Sequence, residues 1–299
     1  MVIVPRDEVV ILDSNIPEVE AGIPVFSSTA NYSLNQTVQF GDSIYESLKD
    51  NNKGVVPTQD KNNLNWFYKG KTNKYRMFDE YIDSISSNPN TITYSFNVSD
   101  IDTVCFLNLE AFWVKVELYN RYNDLIFSQT KSTYTRNASN WYEWTVAKSA
   151  SEKVLFFKNI PFSLNCTLKI EINKQGNIAK CGLLMFGGSI NLGATLTEPK
   201  PVSSIRNIAS KERLPDGTIK FTNSRVYKRV VLNVIVETQR ISQVQNILEE
   251  YTDKPLLFIG AEREDNSLNA LTAFGFFRDF DKPIGLDFTQ YQIEIEGIV

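Results

Sequence analysis

The chain has 299 residues with 31 Lys+Arg, 35 Asp+Glu, a formal charge of −4 and no histidine. Without histidine there is no Ser-His-Asp triad, no His-ligated zinc and no imidazole acid/base pair, so carboxylate, Ser, Cys or Lys chemistry is what remains. The mild acidity gives no basic footprint of the kind nucleic-acid binders show, and no run of about 18 apolar residues exists to span a bilayer. The opening segment carries Asp7, Glu8 and Asp13 among its apolar residues, unlike a signal peptide. Cys105, Cys166 and Cys181 are an odd, widely spaced set, which reads as buried small hydrophobes in a chain made in a reducing cytoplasm.

In chain order, residues 1–26 read as an N-terminal β arm, with strands at VIV (2–4) and VVIL (9–12) separated by Pro5-Arg6-Asp7-Glu8. Such an arm needs a neighbour to pair its edges, within the chain or in another subunit. Residues 27–80 form a small aromatic module with turn chemistry at Phe40-Gly41-Asp42, Asp50–Gly54 and Pro57, and three short strands near 37–40, 43–48 and 65–68.

Residues 90–197 read as an antiparallel β-sandwich. Thr91–Val98 and Phe112–Tyr119 alternate with period two, and further strands are expected at 125–128, 141–146, 153–157, 166–173 and 181–186, with 173–177 as a hairpin loop. Residues 198–299 read as a C-terminal α+β docking domain. It opens on a Glu198–Pro201 linker and a Leu214–Thr218 turn, followed by strand Arg225–Glu237. The one main helix is N-capped by Ser242 with Gln245 as its capping-box partner, and carries the apolar stripe Val244, Ile247, Leu248 and Tyr251. Strands at 256–259, 274–277 and 290–296 complete it. The fold class is therefore mainly β.

No catalytic motif stands out. Asp79 with Glu80, or Asp279 with Asp281, supplies carboxylates without evidence of a shared cleft; Glu294 and Glu296 alternate with isoleucines as on a wet strand face. Asp79, Asp100 and Asp102 could hold calcium but lack EF-hand spacing, and no cofactor is implied. The aromatic module is the suggestive feature. Exposed rings stack on the C–H faces of sugars, while rings inside so small a segment also make its core or an interface. Tyr32, Tyr45, Trp66, Phe67 and Tyr68 are the candidate glycan-binding residues.

The order Asn31-Tyr32, then Val38–Leu48, Pro57 and Asn65-Trp66-Phe67 resembles small carbohydrate-binding modules of the chitin- and cellulose-binding type. Lys71–Asp79, with Thr72, Asn73, Met77, Phe78 and Asp79, is similar to a signature that follows such modules in tail proteins of tailed bacteriophages. The likeness continues through Phe106–Leu109, Leu192–Thr195 and Arg225–Tyr227. It closes with Ala273–Phe280, containing Phe276 and Asp279, and with Ile293–Val299, containing Glu294 and Glu296. The resemblance implies a non-enzymatic structural component of a phage tail tip or baseplate. It also implies other tail proteins as partners, a homo-oligomer in the virion, a host-surface glycan as a further ligand, and an N-terminal arm that clamps a neighbouring subunit. The alternative it leaves open is a dedicated glycan-binding receptor-recognition protein.

Overall fold

The segments Thr103–Leu107 and Leu183–Gly187 are buried at every position, so both faces of the sheet they form must be covered. The computed structural model describes residues 1–60, 62–135, 140–142, 150–208, 211–213, 219–221, 225–261, 269–281, 283 and 285–298. In it Val154–Phe157, Thr103–Leu107 and Leu183–Gly187 form a three-stranded antiparallel sheet lying between two larger ones. One face, with Val104, Phe106, Leu155, Phe157, Leu184 and Phe186, packs on a five-stranded sheet. The other, with Cys105, Leu107, Phe156, Leu183 and Met185, packs on Val4, Leu257, Ile259 and Phe274 of an eight-stranded sheet.

The five-stranded sheet runs in the order Leu125–Ser132, Trp113–Tyr119, Cys166–Cys181, Ser86–Val98, Val10–Ser14. Trp113–Tyr119 has the strict alternation expected, burying Val114, Val116 and Leu118 and wetting Lys115 and Glu117. In the eight-stranded sheet Val2–Val4 lies between Ile190–Asn191 and Leu256–Ile259; Thr272–Asp281, Phe288–Gly297 and Arg225–Glu237 follow, and the last of these pairs with both Ala194–Thr195 and Val202–Ile208. On its outer face Ile241, Val244 and Leu248 of the helix Ile241–Glu250 join Ile3, Leu232, Phe258 and Ile293 in a second core. The chain is mainly β, antiparallel, with one main helix near its C-terminal end.

Several local expectations change. The arm's strands pair inside the chain, one in each large sheet, with Val10–Ser14 at the edge of its sheet. Residues 173–177 are not a hairpin: Cys166–Cys181 is one long strand, and Lys174–Asn177 bulge out opposite Asn90 because the partner strand is shorter there. The 198–201 segment interrupts an edge strand rather than linking domains, since both Ala194–Thr195 and Val202–Ile208 lie along the same neighbour. The helix begins at Ile241 after a 3-10 turn, Thr238–Arg240. Ser242 therefore falls inside the helix, and Gln245 bonds Glu249 at 2.6 Å instead of completing a capping box. Trp141 and Tyr142 are helical rather than extended; 143–149 and the 214–218 turn lie outside the described residues.

All three cysteines are free and buried, and burial pushes the Cys105 and Cys181 thiols up. Among the described residues no helix is long and apolar enough to cross a membrane.

Candidate functional site

The module's sheet, Thr37–Phe40, Ser43–Ser47 and Trp66–Lys71, forms because two short alternating strands close on the Gly41 turn, where φ is +60°, and a third returns along Ser43–Ser47. Strand alternation then sorts the candidate rings. Trp66 is 1% exposed and Tyr32 4%, so these two are core and not platform. Trp66 meets Tyr32 edge-on at 5.3 Å and Phe26 at 5.8 Å, and its Nε1–H donates to the Val55 carbonyl at 2.8 Å. The Tyr32 hydroxyl accepts from the Ser27 N–H at 2.6 Å. A segment this small has few apolar residues, and it fills its centre with its largest rings.

Phe67, at 55% exposed, points to the opposite face beside the Glu46–Lys69 ion pair of 2.6 Å. Tyr68, at 47%, packs edge-on against half-buried Tyr45, with ring centroids 5.7 Å apart. Of the five candidates, then, Tyr68 is exposed and paired with half-buried Tyr45, and Phe67 stands on the other side of the sheet.

Asp60 escapes a sequence reading. Its Oδ2 accepts the backbone N–H groups of Asn65 at 2.6 Å and Trp66 at 2.9 Å, and Oδ1 accepts from Asn65 Nδ2 at 3.1 Å. Burial alone would raise its pKa, but these hydrogen bonds outweigh burial and the net shift is downward. A depressed folded-state pKa makes a contribution that is complete above the unfolded value of about 3.9 and is lost as pH falls through the folded value. Acid titration of the module by aromatic circular dichroism should therefore show a loss of stability below about pH 4 that is shallower in Asp60→Asn.

The segment Thr72–Asp79 is a joint. Asn73 Nδ2 donates to the Ser87 carbonyl at 2.7 Å and its Oδ1 accepts the Ser87 N–H at 2.8 Å, an amide clasp onto the long sandwich strand Ser86–Val98. The Asn73 N–H donates to Glu20 at 3.0 Å, which also pairs with Arg76 at 2.6 Å; Lys74 pairs with Glu18 at 2.5 Å. Thr72 is buried, and its N–H donates to the Asp42 carbonyl at 2.8 Å. Met77 is buried, with its N–H on Ser86 Oγ at 2.9 Å. Phe78 meets Tyr94 at 5.3 Å and Phe96 at 5.6 Å, both edge-on.

From the arm, the Arg6 guanidinium donates to the carbonyls of Phe78 and, at 3.0 Å, of Asp79. Burial raises the Asp79 carboxyl, against hydrogen bonds from Ser84 and Tyr81. The Asn73 amide and the Met77 side chain are thus engaged with protein rather than open to a ligand. Asn73→Ala removes two hydrogen bonds to part-buried backbone groups of Ser87, each worth about 0.5–1.5 kcal/mol, a loss to be measured by urea denaturation.

The C-terminal signature lies on two paired strands, Thr272–Asp281 and Phe288–Gly297. Phe276 lies across from Glu296 in register, and Asp279 across from Glu294; the Asp279 side chain lies outside the described ones. Arg229 grips Glu294 with two hydrogen bonds, Nε to Oε1 at 2.6 Å and a second from Nη2, and these hold that carboxyl below its ordinary range. Glu294 is thus half of an ion pair rather than an acid/base group.

Among the described residues no group of three His, Cys, Asp or Glu is placed to hold a metal, and Asp102 is occupied by Ser189, which donates its N–H at 2.9 Å and its hydroxyl at 2.5 Å.

No family model and no curated protein matches the chain. Among solved structures, the chain is similar to a mutant of the lectin binding domain of lectinolysin complexed with Lewis b. The identity is 11% and the TM-score 0.28, over 39% of this chain and 83% of that one.

Proposed function

We propose that this chain is a non-enzymatic structural component of a phage tail tip or baseplate. It assembles with other tail proteins as a homo-oligomer in the virion and positions, or contributes to, host-surface attachment. Its support in the sequence is the ordered series of motifs that resembles phage tail proteins. The observation that carries the reading is the Thr72–Asp79 joint: the residues of the tail-protein-like signature fix the module on the sandwich instead of forming a reactive cleft. A rigid mount of that kind suits a part that holds geometry under load. Mass spectrometry of purified tails, with a reconstruction of the virion, tests it. The polypeptide is expected at the tail tip, and its absence from purified particles would overturn the reading.

A second reading, a dedicated glycan-binding receptor-recognition protein, draws on the rings the module leaves outside. Tyr45 with Tyr68, and Phe67 on the far face, are the platform candidates that burial has not removed. Sugar stacking needs such exposed flat surface with polar groups nearby. A glycan array probed with the full chain tests this reading, and Trp66 no longer belongs to the platform it invokes.

A further inference from the structure

The joint and the arm enclose a space that neither creates alone. Between the arm at Arg6–Ile11 and the module's Asp42–Lys71 pair runs a groove of about 530 Å³, also lined by Tyr75 and Phe78. That volume falls within the range of roughly 300–1,000 Å³ typical of small-molecule sites. We propose that this groove is a binding cleft for a neutral saccharide, formed by the arm and the module together.

Three observations lead there. The walls are pre-set: Arg6 is tied to the Phe78 and Asp79 carbonyls and Asp42 to Lys71 at 2.5 Å, so little ordering would oppose binding. The charges are mixed. Arg6 and Lys71 line the groove together with Asp7, Asp42 and exposed Glu8, so both signs are present with one acidic group in excess, which disfavours a strongly anionic ligand and suits one that both donates and accepts hydrogen bonds. Apolar surface is at hand as well, because Val9, Val10, Ile11, Tyr75 and the part of Phe78 not packed on Tyr94 and Phe96 line the groove. A sugar ring offers that combination of hydroxyl edges and C–H faces.

The inference rests on the glycan-binding reading, and the experiment separates the two. The full chain is applied to an array of defined neutral and acidic oligosaccharides, and the strongest member is titrated by calorimetry. The variants are Glu8→Gln, Asp42→Asn combined with Lys71→Met, and Phe67→Ala, each checked for an unchanged melting curve. Binding of a neutral member that falls about tenfold or more in the Asp42/Lys71 variant, falls in Glu8→Gln and persists in Phe67→Ala is the expected result. Binding that survives both groove variants but is lost in Phe67→Ala overturns the groove while keeping the glycan reading. A preference for acidic members overturns the neutral assignment. No binding to any member overturns the groove and the glycan reading together.

Discussion

Trp66→Ala is expected to destabilise the aromatic module by about 3–5 kcal/mol, the range for removing a large buried ring. The loss has three parts: an apolar surface against Tyr32, Phe26 and Val38; the Nε1–H bond to Val55; and the ordering of the strand that Asp60 holds at the Asn65 and Trp66 N–H groups. The neighbouring substitution Phe67→Ala should stay within about 0.5 kcal/mol, because that ring projects to solvent. Urea denaturation of both variants makes the comparison. A Trp66→Ala protein as stable as its parent, with sugar binding selectively gone, would return that ring to the surface.

Phe106→Ala is expected to lower global stability by a similar 3–5 kcal/mol, but through the whole body of the protein. Phe106 lies on the middle strand of the middle sheet, fully buried, with Phe157 at 5.9 Å. Its neighbour Cys105 points to the opposite face, into the core shared with the eight-stranded sheet. Cys105 thus reports opening on the far side of the sheet from the substitution. If the three sheets unfold together, thiol labelling in mild urea should accelerate by roughly two to three and a half orders of magnitude, the population change that corresponds to the lost stability. Labelling of Cys105 at the parental rate in a destabilised Phe106→Ala protein would show that the two interfaces open independently.

The parts of the fold legible in sequence are those whose two strand faces differ. Trp113–Tyr119 alternates because one face meets the core and the other water, and its bounds come within a residue of the expected 112–119. The middle sheet has no such contrast. Val154–Phe157 and Leu183–Gly187 read as strands, but a continuous apolar run does not reveal that two different sheets cover it. The candidate site follows the same logic. Residue type marks Trp66, Phe67 and Tyr68 equally, and alternation separates Phe67 from its neighbours. The inward face, however, is chosen by Phe26 and Tyr32, which are distant in the chain. Arg6 has no local signal at all, since its partners are backbone groups more than 70 residues away that only the completed fold brings near, and Asp60, though its partners are five and six residues on, sits in a turn whose residue types do not single it out as the acceptor.

The placement of Val2–Val4 has a consequence in time. Its slot in the eight-stranded sheet lies between Ile190–Asn191 and Leu256–Ile259, so pairing waits until residues more than 180 positions later have been made. Contacts of such long sequence separation form slowly, and domains emerging from the ribosome fold in N-to-C order. The sandwich can therefore gather its own core while the arm is still unpaired at Val2–Val4. Insertion of that strand is then a late step, and it converts two separately formed sheets into one body. Gly187, whose missing Cβ leaves room for the Pro5 carbonyl, keeps the crossing open for the arm to settle.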